Sequence, residues 1–160
     1  MPRYRFTVEY DGSAYNGFQA QMGQPTVQGA IETAVTAFSG QTVRIAAAGR
    51  TDTGVHATGQ VALTELDTAL DPERLRRAIN SRLPPDILIR QLAEVGPEFN
   101  IRRALRKRYR YAIWAHPDRP VFYRHYTYHF YRPLHLPAMQ SACAAFLGEH
   151  DFTAFKGKTD

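Results

Sequence analysis

The segment GRTDTGVHATG (49–59) sets Arg50, Asp52 and His56 among Gly49, Gly54 and Gly59, between two runs of mostly small or apolar residues. A carboxylate beside a guanidinium, where glycines permit close backbone approach or positive φ, suits a reaction needing one nucleophile or base. Arg50 and Asp52 are close enough in sequence to pair. Near a protein surface an ion pair at ~4 Å is worth at most about 4 kcal/mol before desolvation. The purely structural alternative is an Arg–Asp turn clamp with an Asx turn at Asp52.

Other chemistries lack their residues. No second carboxylate accompanies Asp52 for paired acid–base work, no serine stands at a useful spacing from a histidine, and there is no phosphate loop. His125 and His129 have the spacing H-x-x-x-H, but in the alternating stretch YRHYTYHFY they would lie ~13 Å apart on one face. No metal site is expected from them. A phosphatase on VEYDGSA with Asp11 as nucleophile would want two acids spaced by one, and Glu9 and Asp11 are a poor version. Asp11–Gly12 reads instead as a turn. The expected reaction uses no metal and no organic cofactor.

Charge is distributed unevenly. Residues 1–98 hold nine Lys/Arg against eleven Asp/Glu, whereas residues 99–160 hold eleven against four. Six of those eleven cations (Arg102, Arg103, Arg106, Lys107, Arg108 and Arg110) fall in RRALRKRYR without an intervening acid. A solvated face usually mixes signs, so a one-sign block beside aromatics points to a polyanion, most often nucleic acid. The start of the chain has no long apolar core of a signal peptide, and no run approaches membrane-spanning length. One cysteine excludes an internal disulfide. A soluble protein of the cytoplasm, with no membrane partner, is expected.

The elements that must position these residues follow from periodicity. RYRFTVEY alternates as a strand, and DGSAYNGFQAQMGQP (11–25) is a long loop. TVQGAIETAVTAFSG is a helix with Thr26 as N-cap and Gly40 as stop. VRIAAA (43–48) and QVALTEL (60–66) are strands flanking the insert 49–59. DPERLRRAINSRL is a helix with Asp71 as cap and Pro72 in its first turn, and DILIRQLAEV (86–95) is a further strand. The order β-α-β-β-α-β predicts an α+β fold, with a ferredoxin-like N-terminal domain over 1–98. A second, similar α/β unit over 99–160 starts with the strand RYRYAIWA, which carries Tyr109 and Arg110. An aromatic connection and the helix LPAMQSACAAFLG follow. On that helix Cys143 shares a face with Leu136, Met139, Phe146 and Leu147 and is expected to be buried. A β-α pair alone leaves a sheet edge and an apolar face uncovered, so a truncated chain, or completion by another chain, is expected.

AGRTDTGVHA resembles the signature of the tRNA pseudouridine synthase A family. YDGSAYNGFQAQ (10–21), TVQGAIETAV (26–35), INSRLPPDI (79–87), KRYRYAI (107–113) and GEHDFTAF (148–155) are similar to the family in the same order. The resemblance implies a pseudouridine synthase fold, and conversion of uridine to pseudouridine in the anticodon stem-loop of tRNA, at positions 38–40, by a homodimer without cofactor. Asp52 then matches the catalytic aspartate and Arg50 an arginine that pairs with it and helps displace the base. Tyr109 matches the tyrosine that stacks on the flipped uracil. Tyr15 and Gln19 become RNA contacts, with Phe18 either joining them or packing under the loop, and Arg102 corresponds to a family arginine. The family's later Phe-Leu…Met-Val-Arg motif has no counterpart here, which implies a chain that lacks the family's C-terminal part and carries the acting carboxylate with only part of the pocket. The alternative is a non-catalytic RNA-binding module of ferredoxin-like fold, but the aromatic strand run typical of such modules is missing.

Overall fold

Alternation of Tyr4, Phe6, Val8 and Tyr10 builds strand β1 (Arg3–Tyr10), with those four side chains buried and Arg3, Arg5, Thr7 and Glu9 half-buried on the other face. In the computed structural model, which describes residues 1–155, β1 is an inner strand of a four-stranded sheet. It pairs antiparallel with β3 (Ala57–Glu65) on one side and with β4 (Ile87–Val95) on the other, while β2 (Ala46–Ala47) pairs antiparallel with β3. The spatial order is β2-β3-β1-β4. The chain divides into two compact units, Met1–Arg108 and Tyr109–Asp160.

Two helices cover the apolar face of the first unit's sheet. Helix α1 (Val27–Ser39) begins where Thr26 Oγ1 accepts the Gly29 amide at 3.2 Å and ends where Gly40 takes φ +70°. Helix α2 (Pro72–Asn80) begins with Asp71 accepting the Arg74 amide at 2.9 Å and has proline in its first turn. Val27, Ile31 and Val35 of α1 and Leu75 and Ile79 of α2 join Phe6, Val8 and Ile89 in one core. Asn80 fastens α2 to β4 by donating to the Ile89 carbonyl and accepting its amide, both at 2.9 Å.

Several expected boundaries differ from those observed. VRIAAA contributes only Ala46–Ala47 to the sheet, because only these residues find ladder partners, Leu63 and Ala62. Strand β3 starts at Ala57 rather than Gln60, so the insert is shorter than 49–59. Tyr10 pairs with Ala57 past a register shift, and backbone pairing supplies a strand where side-chain alternation gives no sign of one.

In the second unit, RYRYAIWA narrows to β5 (Ile113–Ala115), leaving Tyr109 and Arg110 in irregular backbone. Its partner is β6 (Tyr128–Phe130), parallel to it and inside the stretch expected to be a connection. Helix α3 (Leu136–Ala144) buries no residue, and Cys143 is exposed rather than buried. Two strands of three residues offer too little sheet to cover the face carrying Leu136, Met139 and Cys143. Among the described residues no helix is long and apolar enough to cross a membrane.

Candidate active site

Asp52 is exposed at the apex of an arch formed where the insert between β2 and β3 docks on the loop after β1. That loop is itself well anchored. The Asn16 amide donates to the Pro25 carbonyl at 2.8 Å, and the Gln28 amide donates to the Phe18 carbonyl at 2.9 Å. Gln28 is buried; its side chain accepts the Ala20 amide at 2.9 Å and donates to Glu32 at 2.7 Å. Glu32 in turn accepts the Ile45 amide at 2.9 Å, so one polar chain joins the loop, α1 and the approach to β2.

Two backbone-on-backbone passages bracket Asp52. On its N-terminal side a Cβ on Gly17, whose φ is +82°, would lie 2.5 Å from the Thr51 carbonyl oxygen. That same oxygen accepts the Phe18 amide at 3.1 Å, and the Thr51 and Tyr10 hydroxyls share a hydrogen bond of 2.7 Å. On its C-terminal side a Cβ on Gly12 would collide with the Val55 carbonyl, 2.6 Å from its carbon. The Gly54 amide donates to the Tyr15 carbonyl at 3.3 Å, and the Val55 amide closes the arch on the Asp52 carbonyl at 3.1 Å. Only glycine at positions 12 and 17 allows the chains to approach this closely. The effect is to hold a carboxylate out toward solvent on a braced backbone.

Arg50 and Asp52 are both exposed, and among the described residues no ion pair joins them. The expected pairing is therefore corrected. In full solvent such a pair is worth ~0–1 kcal/mol, too little to hold two side chains in one geometry against their entropy. Tyr15 is corrected as well. It is 8% exposed, and its hydroxyl donates to Asp86 at 2.7 Å, so it anchors the loop instead of offering a surface for RNA. Burial, together with Asp86 and Asp11, raises its phenol well above 10.0, which keeps the donor proton in place. Burial likewise raises the Tyr10 phenol, against the opposing pull of the Thr51 hydroxyl. Phe18 packs under the loop at 1% exposure, its ring 6.0 Å from that of Tyr10. Gln19 is half-buried.

Arg102, Arg103, Arg106, Lys107, Arg108, Tyr109 and Arg110 are all exposed, Tyr109 at 83%. Tyr109 and Arg110 open the second unit, and the others close the first. Within the first unit the fold brings Lys107 to the insert, its Nζ 3.2 Å from where a Cβ on Gly49 would stand, next in sequence to Arg50. Arg103 lines a shallow groove with Glu94, Glu98, Phe99 and Leu105. Among the described residues no cluster of three metal-ligating side chains occurs.

Residues 6–102 match the family model described as tRNA pseudouridine synthase, a stretch that contains the whole arch and the loop bracing it. The chain belongs to the tRNA pseudouridine synthase family. Relatives named tRNA pseudouridine synthase A agree with it closely. The protein of Caulobacter sp. (strain K31) is 49% identical over 158 residues, 98% of this chain and 64% of the relative. That of Caldicellulosiruptor saccharolyticus is 44% identical over 156 residues, covering 97% and 64%, and that of Geobacillus sp. (strain WCH70) is 42% identical over 161 residues, covering 99% and 65%. The chain thus spans about 64% of the length of these relatives.

What periodicity did not reveal is that the loop after β1 is a second wall of the same site. The signal was available in DGSAYNGF, where Gly12 and Gly17 fall in a loop long enough to need a reason for them.

Proposed function

We propose that this chain isomerises uridine to pseudouridine in tRNA, with Asp52 as the acting carboxylate. The observation that carries the reading is Asp52 itself, solvent-facing on an arch braced from both sides, in a chain of this family. The reaction requires the uracil to leave C1′ of its ribose, turn, and rejoin through C5. Asp52 acts on the sugar, either attacking C1′ or removing the proton at C2′. Extruding the base from its stack costs a few kcal/mol, and stacking on an aromatic ring returns roughly 1–3 kcal/mol. Arg50, which has no ion-pair partner among the described residues, is available to a phosphate or to the vacated position in the stack. Lys107 supplies a second cation at the head of the arch.

The same reading extends to the anticodon stem-loop at positions 38–40, to a homodimer that grips one tRNA, to action in the cytoplasm without metal or cofactor, and to two domains over 1–98 and 99–160. The strand order β2-β3-β1-β4 with antiparallel neighbours supports a ferredoxin-like first domain. Tritium release from tRNA carrying 5-tritiated uridine tests the assignment. Asp52→Asn is expected to reduce release to background while tRNA binding persists. Release that survives this substitution refutes the role of Asp52, and tRNA binding without release by the unaltered chain favours the non-catalytic module.

A further inference from the structure

We propose that His56 is a positioning residue that latches the C-terminal end of the Asp52 arch to the loop after β1, an inference that rests on the proposed role of Asp52. The His56 ring comes from the insert, four residues after Asp52, and its Nδ1 meets two groups of the facing loop. The Gly12 amide lies 3.1 Å away, directed at Nδ1 as a donor, and Asp11 Oδ1 lies 3.0 Å away. Asp11 is itself fixed, its Oδ1 accepting the Ser13 amide at 2.9 Å and its own amide donating to the Asp86 carbonyl at 2.9 Å.

A ring nitrogen carries either one lone pair or one proton, so Nδ1 serves one of these partners at a time. With the proton on Nε2 it accepts from Gly12, and with a proton on Nδ1 it donates to Asp11. Both bonds tie the same two segments. The latch therefore holds whichever nitrogen carries the proton, at the point where the Gly12 backbone already presses on the Val55 carbonyl. Thr51, bonded to the Tyr10 hydroxyl, is the corresponding tie on the other side of Asp52. Without the His56 tie, the C-terminal end of the arch depends on its backbone contacts, among them the Gly54 amide on the Tyr15 carbonyl, and Asp52 is held less firmly. The charged group at the ring is Asp11, whose amide is tied to the Asp86 carbonyl.

The test begins on the unaltered 160-residue chain. NMR should show either a scalar coupling between the Gly12 amide nitrogen and His56 Nδ1 or a slowly exchanging proton on Nδ1; the absence of both overturns the proposal. His56→Ala should then speed amide exchange at Gly12, Gly54 and Val55 by roughly tenfold, the equivalent of one lost hydrogen bond. Amides of α1 should not change, and His56→Asn, which keeps a donor and an acceptor, should restore most of the protection. Unaltered exchange in His56→Ala overturns the latch. In the tritium assay His56→Ala should lower kcat with KM nearly unchanged, and His56→Asn should recover part of it. If Asp52→Asn leaves release intact, the functional reading fails while the exchange data still judge the latch.

Discussion

The brace on Asp52 can be measured with two glycines that share a backbone conformation and differ in surroundings. Gly17 has φ +82° and faces the Thr51 carbonyl oxygen, 2.5 Å from where its Cβ would be. Gly23 has φ +72° with nothing within 4 Å. Alanine at either site enters the left-handed region at about 1–2 kcal/mol, offset by about 0.4–1 kcal/mol from a less flexible unfolded chain. Gly23→Ala should therefore cost roughly 0.5–1 kcal/mol. Gly17→Ala adds the overlap with Thr51, a backbone atom that cannot swing aside, and overpacking of this kind costs about 1–3 kcal/mol. The total for Gly17→Ala is about 1.5–4 kcal/mol, and the difference between the variants isolates the contact that holds the N-terminal side of the arch. Urea denaturation followed through amide signals of β1 reads it, because the single tryptophan, Trp114, reports on the second unit. With a urea slope of about 1–3 kcal/mol/M, Gly17→Ala should unfold roughly 1 M earlier than Gly23→Ala. It should also slow tritium release by about a hundredfold, as expected for an acting group displaced by ~1 Å, while Gly23→Ala releases normally. If the two variants agree within about 0.5 kcal/mol and both turn over normally, the close passage of Gly17 over Thr51 does not brace the site.

Three further outcomes are expected. If about four of the cations in 102–110 reach phosphates, log K for tRNA against log salt should fall with a slope of roughly −3 to −4, and a slope near zero removes the run from the binding surface. Gln91, exposed and at φ 48° where β4 shifts register against β1, should accept glycine with a gain of up to about 1 kcal/mol in urea stability, and a loss would mean that its side chain packs. Hydrogen bonds from Arg76 and then Arg77 hold the Glu73 carboxyl at about 2, below its ordinary 4.5. Its folded value is the lower one, so its contribution to α2 is complete above pH 4.5 and lost as pH falls through about 2. The pair is solvent-exposed and the effect small, yet Glu73→Gln should flatten the pH dependence of α2 amide exchange across that window; an unchanged slope contradicts the assignment.

Much of this molecule can be read from local residue order. Thr26, Gly40 and Asp71–Pro72 mark helix ends through bonds and dihedrals made within a few residues, and the alternation in RYRFTVEY decides which face of β1 is buried. The insert could be singled out because a lone carboxylate among glycines is a statement about residue types, and the basic run because like charges in a row need no fold to be noticed. Where the insert ends, what braces it and which cation approaches it depend on partners distant in sequence. Tyr10 pairs with Ala57, Gly12 presses on Val55, the Tyr15 hydroxyl reaches Asp86, and Lys107 arrives at Gly49. Such contacts are set by strand register and by the close packing of backbones from separate loops, and no local pattern encodes them. The same reason leaves Arg50 and Asp52 unpaired and Cys143 exposed. Adjacency in sequence, or a shared helical face, creates an opportunity for contact, and the surrounding fold decides whether that contact is worth its entropy.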